Sequence, residues 1–209
     1  MYSTIAKIAA VCLGTILFTG CAGTSGTNFT QVASEDSLAL GRSTPEQITG
    51  NLGKPMYEGT ITKNGQIINT FSYAYANTSG EAVSTGAIPV RSQGFYFASG
   101  KLVGYEYTSS WKEDSTDFNT ANVAQIKKGA SSRNDVVRLI GKPTGKYAYP
   151  MIADNDGNEA VVYVYTQTSG SAGSLTRASS LKTYQKKLVV TLNKQGIVTD
   201  VDLVESGQQ

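Results

Sequence analysis

One block of this chain occurs twice, and that repeat limits the folds open to it. Residues 41–55, GRSTPEQITGNLGKP, and residues 129–143, GASSRNDVVRLIGKP, align without a gap. Gly41 falls on Gly129, Ser43 on Ser131, and Gly53-Lys54-Pro55 on Gly141-Lys142-Pro143. Apolar Leu38, Ile48 and Leu52 fall on Ile126, Val136 and Ile140, and i, i+4 spacing puts the last two of each set on one helical face. A block repeated in this way marks one supersecondary unit used twice. Its chemistry predicts a pair of helices. Gly41 or Gly129 ends the first in a left-handed conformation. Ser43 or Ser131, or the hydroxyl that follows, caps the second, with Pro45 near its first turn. Gly53 or Gly141 closes that helix, the lysine suits its negative end, and Pro55 or Pro143 bars continuation. Gly-Lys-Pro is therefore a helix stop. A phosphate-cradling P-loop needs Ser or Thr after the lysine and a second glycine upstream, and neither copy has them.

The similarity continues downstream. MYEGTITKNGQIINTFSYAYA and TGKYAYPMIADNDGNEAVVYVYT each read as two strands around a turn, at Asn64-Gly65 and Asp156-Gly157. GFYFASGKLVGYEY and KLVVTLNKQGIVTDVDL read as further strand pairs around Gly100 and Gly196. Residues 77–92 and 168–186, rich in Ser, Thr, Gly and Ala, are expected as long exposed loops. The expected organisation is a first unit over 35–109, a linker over 110–120 and a second unit over 121–205. With 22 glycines, 12 tyrosines and 5 prolines, the composition favours strands and turns over a helical bundle.

The N-terminus reads as an export signal. A lysine at position 7 precedes an apolar run from Ile8 to Phe18, then small residues up to Cys21. The end LFTGC resembles the lipobox of bacterial lipoproteins, which implies removal of residues 1–20 and lipidation (palmitate among the acyl groups) of Cys21. Ala22 in place of aspartate implies, by the same resemblance, a lipid-anchored outer-membrane protein facing the periplasm. Residues 21–34 are expected as a flexible polar tether.

Several chemistries fall away. Histidine is absent, which removes Ser-His and Cys-His nucleophile systems and His-ligated metal sites. A net charge of +2 gives no electrostatic footprint for nucleic acid. Two S-x-x-K matches, at 109–112 and 179–182, lack the companion motifs of the penicillin-binding enzymes. DNDGNE at 154–159 reads as a turn, since its glycine is misplaced for an EF-hand. No catalytic residue, metal or cofactor is expected, and Glu113, Asp114 and Asp117 read as a solvated linker. The aromatics keep two readings. Phe71, Tyr73, Tyr75, Phe95, Phe97, Tyr105 and Tyr107 recur at alternate positions, so each strand puts its set on one face. That face is either core beneath the helices or a contact surface of Tyr73, Tyr75, Tyr105, Tyr107 and Trp111.

The helix-pair motif followed by a strand meander resembles the SmpA/OmlA (BamE) lipoprotein family, and the tandem arrangement is similar to beta-lactamase inhibitor protein. The resemblance implies an α+β fold of two tandem BLIP-like units, each a helix pair packed on a four-stranded antiparallel sheet. It also implies a non-catalytic envelope module that binds another envelope protein as an assembly or accessory factor. Envelope binding of a small ligand or glycan, and inhibition of a periplasmic enzyme, are the alternatives.

Overall fold

The computed structural model of the protein describes residues 24–29, 38–153, 156–170 and 181–207. Cys21 and the export signal lie outside them. The strands, in chain order, are β1 (Thr24–Ser25), β2 (Tyr57–Lys63), β3 (Gln66–Asn77), β4 (Ala87–Ile88), β5 (Val90–Ala98), β6 (Lys101–Ser109), β7 (Gly145–Ala148), β8 (Glu159–Ser169), β9 (Lys182–Leu192) and β10 (Val198–Gly207). Two α-helices, α1 (Pro45–Leu52) and α2 (Arg133–Ile140), precede β2 and β7, and a 3-10 helix covers Thr120–Gln125.

The helices begin where side chains satisfy their first amides. Thr44 Oγ1 accepts from Gln47 N–H at 3.4 Å while the Gln47 side chain accepts from Thr44 N–H at 3.0 Å. Ser132 and Asp135 make the same reciprocal box at the start of α2. The caps are thus the hydroxyls after Ser43 and Ser131. Gly53 and Gly141, at φ of 76° and 106°, end the two helices, a backbone region in which a β-carbon is strained. Pro55 is buried and Pro143 half-buried just beyond them.

The expected helix pair on a separate four-stranded sheet is not what forms. Gly41 and Gly129 do not end helices; they sit in single turns stitched to the sheet. Gly41 N–H donates to Leu102 O and Leu102 N–H returns to Ser43 O, at 2.7 and 2.8 Å. Gly129, Val198 and Ser131 repeat the pattern at 2.7 and 2.9 Å. Amides committed to the start of β6 or β10 cannot also propagate a helix. Ser43 and Ser131 Oγ accept from Ala39 and Lys127 N–H, which tightens each turn.

Nor do the halves keep separate sheets. Gly104, Tyr105 and Glu106 of β6 pair antiparallel with Tyr147, Lys146 and Gly145 of β7. The result is one ten-stranded sheet, ordered β1-β3-β5-β6-β7-β8-β9-β10, with β2 also on β3 and β4 also on β8. One face carries the helices. There Ile48 packs with Tyr73, Phe95, Phe97 and Tyr105, and Val136 and Ile140 pack with Val161, Tyr163, Leu188 and Val190. On the other face Tyr147, Ile152, Ala160, Val162 and Val164 form a third cluster.

Residues 24–29, expected in the tether, are built into the fold. Thr24 and Ser25 pair with Asn77 and Ala76 at the end of β3. The expected loop 77–92 carries β4 and the start of β5, and within 168–186 β8 reaches Ser169 and β9 begins at Lys182.

Candidate functional site

The tyrosines singled out in the sequence lie in the core rather than on a surface. Tyr73, Tyr75, Tyr105 and Tyr107 are all buried, and Trp111 is half-buried. Tyr73 packs edge-on against Phe95, and its hydroxyl donates to Gly53 O at 2.9 Å. Tyr163 donates to Gly141 O at the same distance in the second half. Each hydroxyl thus satisfies a carbonyl left open at a helix end. Tyr73→Phe and Tyr163→Phe should therefore lower stability by similar amounts, about 1 kcal/mol each, in denaturant titration. Markedly unequal costs would contradict the equivalence of the two halves.

Trp111 stacks on Tyr75 at 5.8 Å and 11°, with the Arg91 guanidinium 4.6 Å over its ring. Arg91 is 2% exposed. Its Nε donates to Asp114 Oδ2 at 2.8 Å and its Nη1 to Asn28 Oδ1 at 2.7 Å, while Nη2 reaches Glu113. Tyr107 and Ser109 hydroxyls donate to the same Asp114 carboxylate, each at 2.6 Å. Burial pushes that carboxyl up, but its bonds from Arg91, Ser109 and Tyr107 outweigh this and hold it below the usual range. Lys186 holds the matching position in the second half, opposite Tyr165 as Arg91 is opposite Tyr75. It pairs with Asp117 at 2.6 Å and lies over the Phe118 ring. The acidic residues of 113–117 are therefore not a solvated linker alone: Asp114 and Asp117 neutralise one buried cation from each half. Thr116 adds a hydroxyl donated to Val164 O at 2.6 Å.

A surface feature that draws on both halves lies on the helix-free face. A groove of about 290 Å³ runs across it. Ile61, Lys63, Thr70 and Ser72 wall one side, Asp200, Asp202, Val204 and Ser206 the other, and Met151 and Ile152 enter from the connection after β7. The Asn64 side-chain amide, next along the chain from Lys63, donates to Pro150 O and Ile152 O, both at 2.9 Å. The Asn64-Gly65 turn expected from sequence thus also pins the first half to the second.

Beneath the groove sits an ion pair. Lys187 Nζ is 2.6 Å from Glu106 Oε2, Tyr96 donates to Oε1 at 2.9 Å, and Tyr147 also donates to Oε2. Burial alone would raise the Glu106 pKa, but the Lys187 charge and the bonds from Lys187, Tyr147 and Tyr96 hold it below the usual carboxylate value. Both Glu106 oxygens are occupied by these partners, so the cluster braces the floor of the groove. A carboxylate whose folded pKa is lowered stabilises the fold above its unfolded pKa and loses that contribution as pH falls through the folded one. Glu106→Gln should therefore cost stability at neutral pH and leave a shallower acid limb in melting temperature against pH. An unchanged acid limb would contradict this. Sequence reading missed Glu106, Lys187, Tyr96 and Tyr147. The available signal was a lone carboxylate inside GYEYTS, where its neighbours show no other charge.

Among the described residues no group of three or more His, Cys, Asp or Glu side chains converges to hold a metal ion.

Comparison with known proteins places this geometry beside a sequence family. A solved structure of a candidate beta-lactamase inhibitor protein from Streptococcus mutans aligns at 14% identity, covering 78% of this chain and 82% of its own, with a TM-score of 0.37. That likeness is too distant to add to the argument. No curated protein matches the chain. Residues 116–202 match the family described as Outer membrane protein assembly factor BamE domain. The resemblance expected from the repeated Gly-Lys-Pro blocks is thus supported in the second half of the chain, where Thr116 to Asp202 are similar to that domain.

Proposed function

We propose that the protein is a cell-envelope lipoprotein, anchored through Cys21 to the outer membrane and facing the periplasm. Its folded body is a non-catalytic module that binds another envelope protein during outer-membrane assembly. The match of residues 116–202 to the BamE domain carries this reading. The groove supports it, because its walls come from both halves and a partner seated there would contact the BamE-like half and the preceding half together. The sheet walls set aliphatic Ile61 and Val204 among polar and charged side chains, Lys63, Thr70, Ser72, Asp200, Asp202 and Ser206, a mixture suited to a protein contact. Burial of Tyr73, Tyr75, Tyr105 and Tyr107 favours the core reading of those side chains and supports looking for the contact surface on the opposite face.

Photo-crosslinking amino acids at Ser72 and Val204, on opposite walls, test the proposal in intact cells. Val137, exposed on α2 and outside the groove, is the control. Both wall positions should give the same adduct, identified by mass spectrometry as an envelope protein, and Val137 should not. Adducts from Val137 alone, or none from either wall, would remove the groove as the contact surface.

A further inference from the structure

The N-terminal segment bears on how the protein sits on its membrane. Thr24 and Ser25 extend the sheet at the C-terminal end of β3. Gly26, at φ +80°, lies so close to β3 that a β-carbon there would be 2.0 Å from Ala74 O. The strap then crosses the helix-bearing face. Asn28 accepts from Arg91 Nη1 at 2.7 Å, and the Phe29 ring packs edge-on to Tyr107 at 6.4 Å. Ladder pairing, close backbone approach, a charged hydrogen bond and an aromatic contact together fix residues 24–29 to the body.

That docking shortens the leash. Whatever the conformation of the intervening residues, the three peptide steps from Cys21 to Thr24 span at most about 11 Å. An acyl chain on Cys21 would therefore hold one end of the sheet at the bilayer, rather than suspend the body on a long tether. The end so held is the C-terminal end of β3 with the adjoining loop. From Asn77 to Gly86 the one charged side chain is Glu81, which pairs with Lys112 at 3.1 Å, and Val83 is exposed. A neutral tip of this kind approaches lipid headgroups without leaving a lone charge against them. The opposite end of β3, at the Asn64-Gly65 turn, lies about 36 Å away along the strand.

We infer that the 77–86 loop is a membrane-seating surface, held against the lipid headgroups of the anchoring leaflet by the docked strap, with the Asn64 end pointing away. This inference rests on the lipid anchor at Cys21 proposed above, and the test separates the two. Full-length lipidated protein is bound to vesicles of phosphatidylethanolamine and phosphatidylglycerol that carry a nitroxide headgroup lipid. A fluorophore sits on Ser79→Cys or on Gln66→Cys. The protein should float with the vesicles, and Ser79→Cys should be quenched several-fold more than Gln66→Cys. A flexible Gly-Ser insertion of about ten residues after Gly23 adds roughly 18 Å of reach and should erase the difference. Gly26→Val, which cannot dock beside Ala74, should do the same. Failure to float would overturn the anchor and with it the seat. Flotation with equal quenching at both positions, or a difference that survives the insertion, would overturn the seat and leave the anchor standing.

Discussion

Gly145→Val should be among the most damaging single substitutions in this chain, costing about 3 kcal/mol or more. Gly145 is the β7 residue paired with Glu106 on one side and Val162 on the other. A β-carbon there would lie 2.3 Å from the Tyr105 carbonyl oxygen and 2.9 Å from Glu106 Cα. Both are backbone atoms of a hydrogen-bonded strand, so no side-chain rotation relieves the clash. The seam between the halves would have to open, and the Glu106 network with it. At roughly 2–4 °C per kcal/mol for a chain of this size, the melting temperature should fall by about 6 °C at the least. Gly196→Ala is the comparison. That glycine has φ of 75° but open space around it, so the change carries backbone strain alone, about 1 kcal/mol. A Gly145→Val protein melting close to the unmodified chain would mean that the two halves do not depend on this seam.

Arg91→Ala should cost about 3 kcal/mol, because it strands a partly buried carboxylate. The Asp114 side chain is 27% exposed and accepts from Arg91, Tyr107 and Ser109, so without the guanidinium its charge loses its one ionic partner among these. Trp111 loses its cation contact and Asn28 its donor. Glu113 is 69% exposed, so Glu113→Gln should change stability by no more than about 0.5 kcal/mol despite touching the same arginine. Adding Asp114→Asn to Arg91→Ala should recover part of the loss, since the uncompensated charge goes with it. Amide exchange in residues 24–29 should rise in Arg91→Ala and stay slow in Glu113→Gln. Equal stability losses in the two single variants would contradict the division between the buried and the exposed acid.

Much of this fold was written locally and so was readable. The Gly53 and Gly141 helix stops need only residues within one turn, and the Asn64-Gly65 and Gly100 turns need only their flanking strands. The alternation of Phe71, Tyr73 and Tyr75 placed these side chains on one face. What it could not decide was whether that face meets helices or a partner. That depends on α1 folding back over Tyr73, a contact made through the Gly53 carbonyl. The helix pair was misread because Gly41 and Ser43 look like a helix end followed by a cap. Their backbone bonds instead reach Leu102, far along the chain, and no local signal carries that. The joining of the sheets has the same character. Gly104 and Gly145 read as ordinary strand glycines until β6 and β7 lie side by side, where both leave room for neighbouring atoms. The groove, with walls separated by most of the sequence, follows from that seam.

If, as proposed, the chain assists outer-membrane assembly by binding through the groove, complementation in cells should depend on the groove walls. Cells lacking the chain are compared with cells expressing it unmodified or as Ser72→Arg with Val204→Arg. These substitutions load both groove walls with bulk and charge at half-buried and exposed sites. The variant is carried forward at unchanged melting temperature, and the readout is the folded fraction of outer-membrane proteins on semi-native gels. The folded fraction should fall in the deletion and be restored by the unmodified chain but not by the groove variant. Full restoration by the groove variant, or an unchanged folded fraction in the deletion, would contradict it.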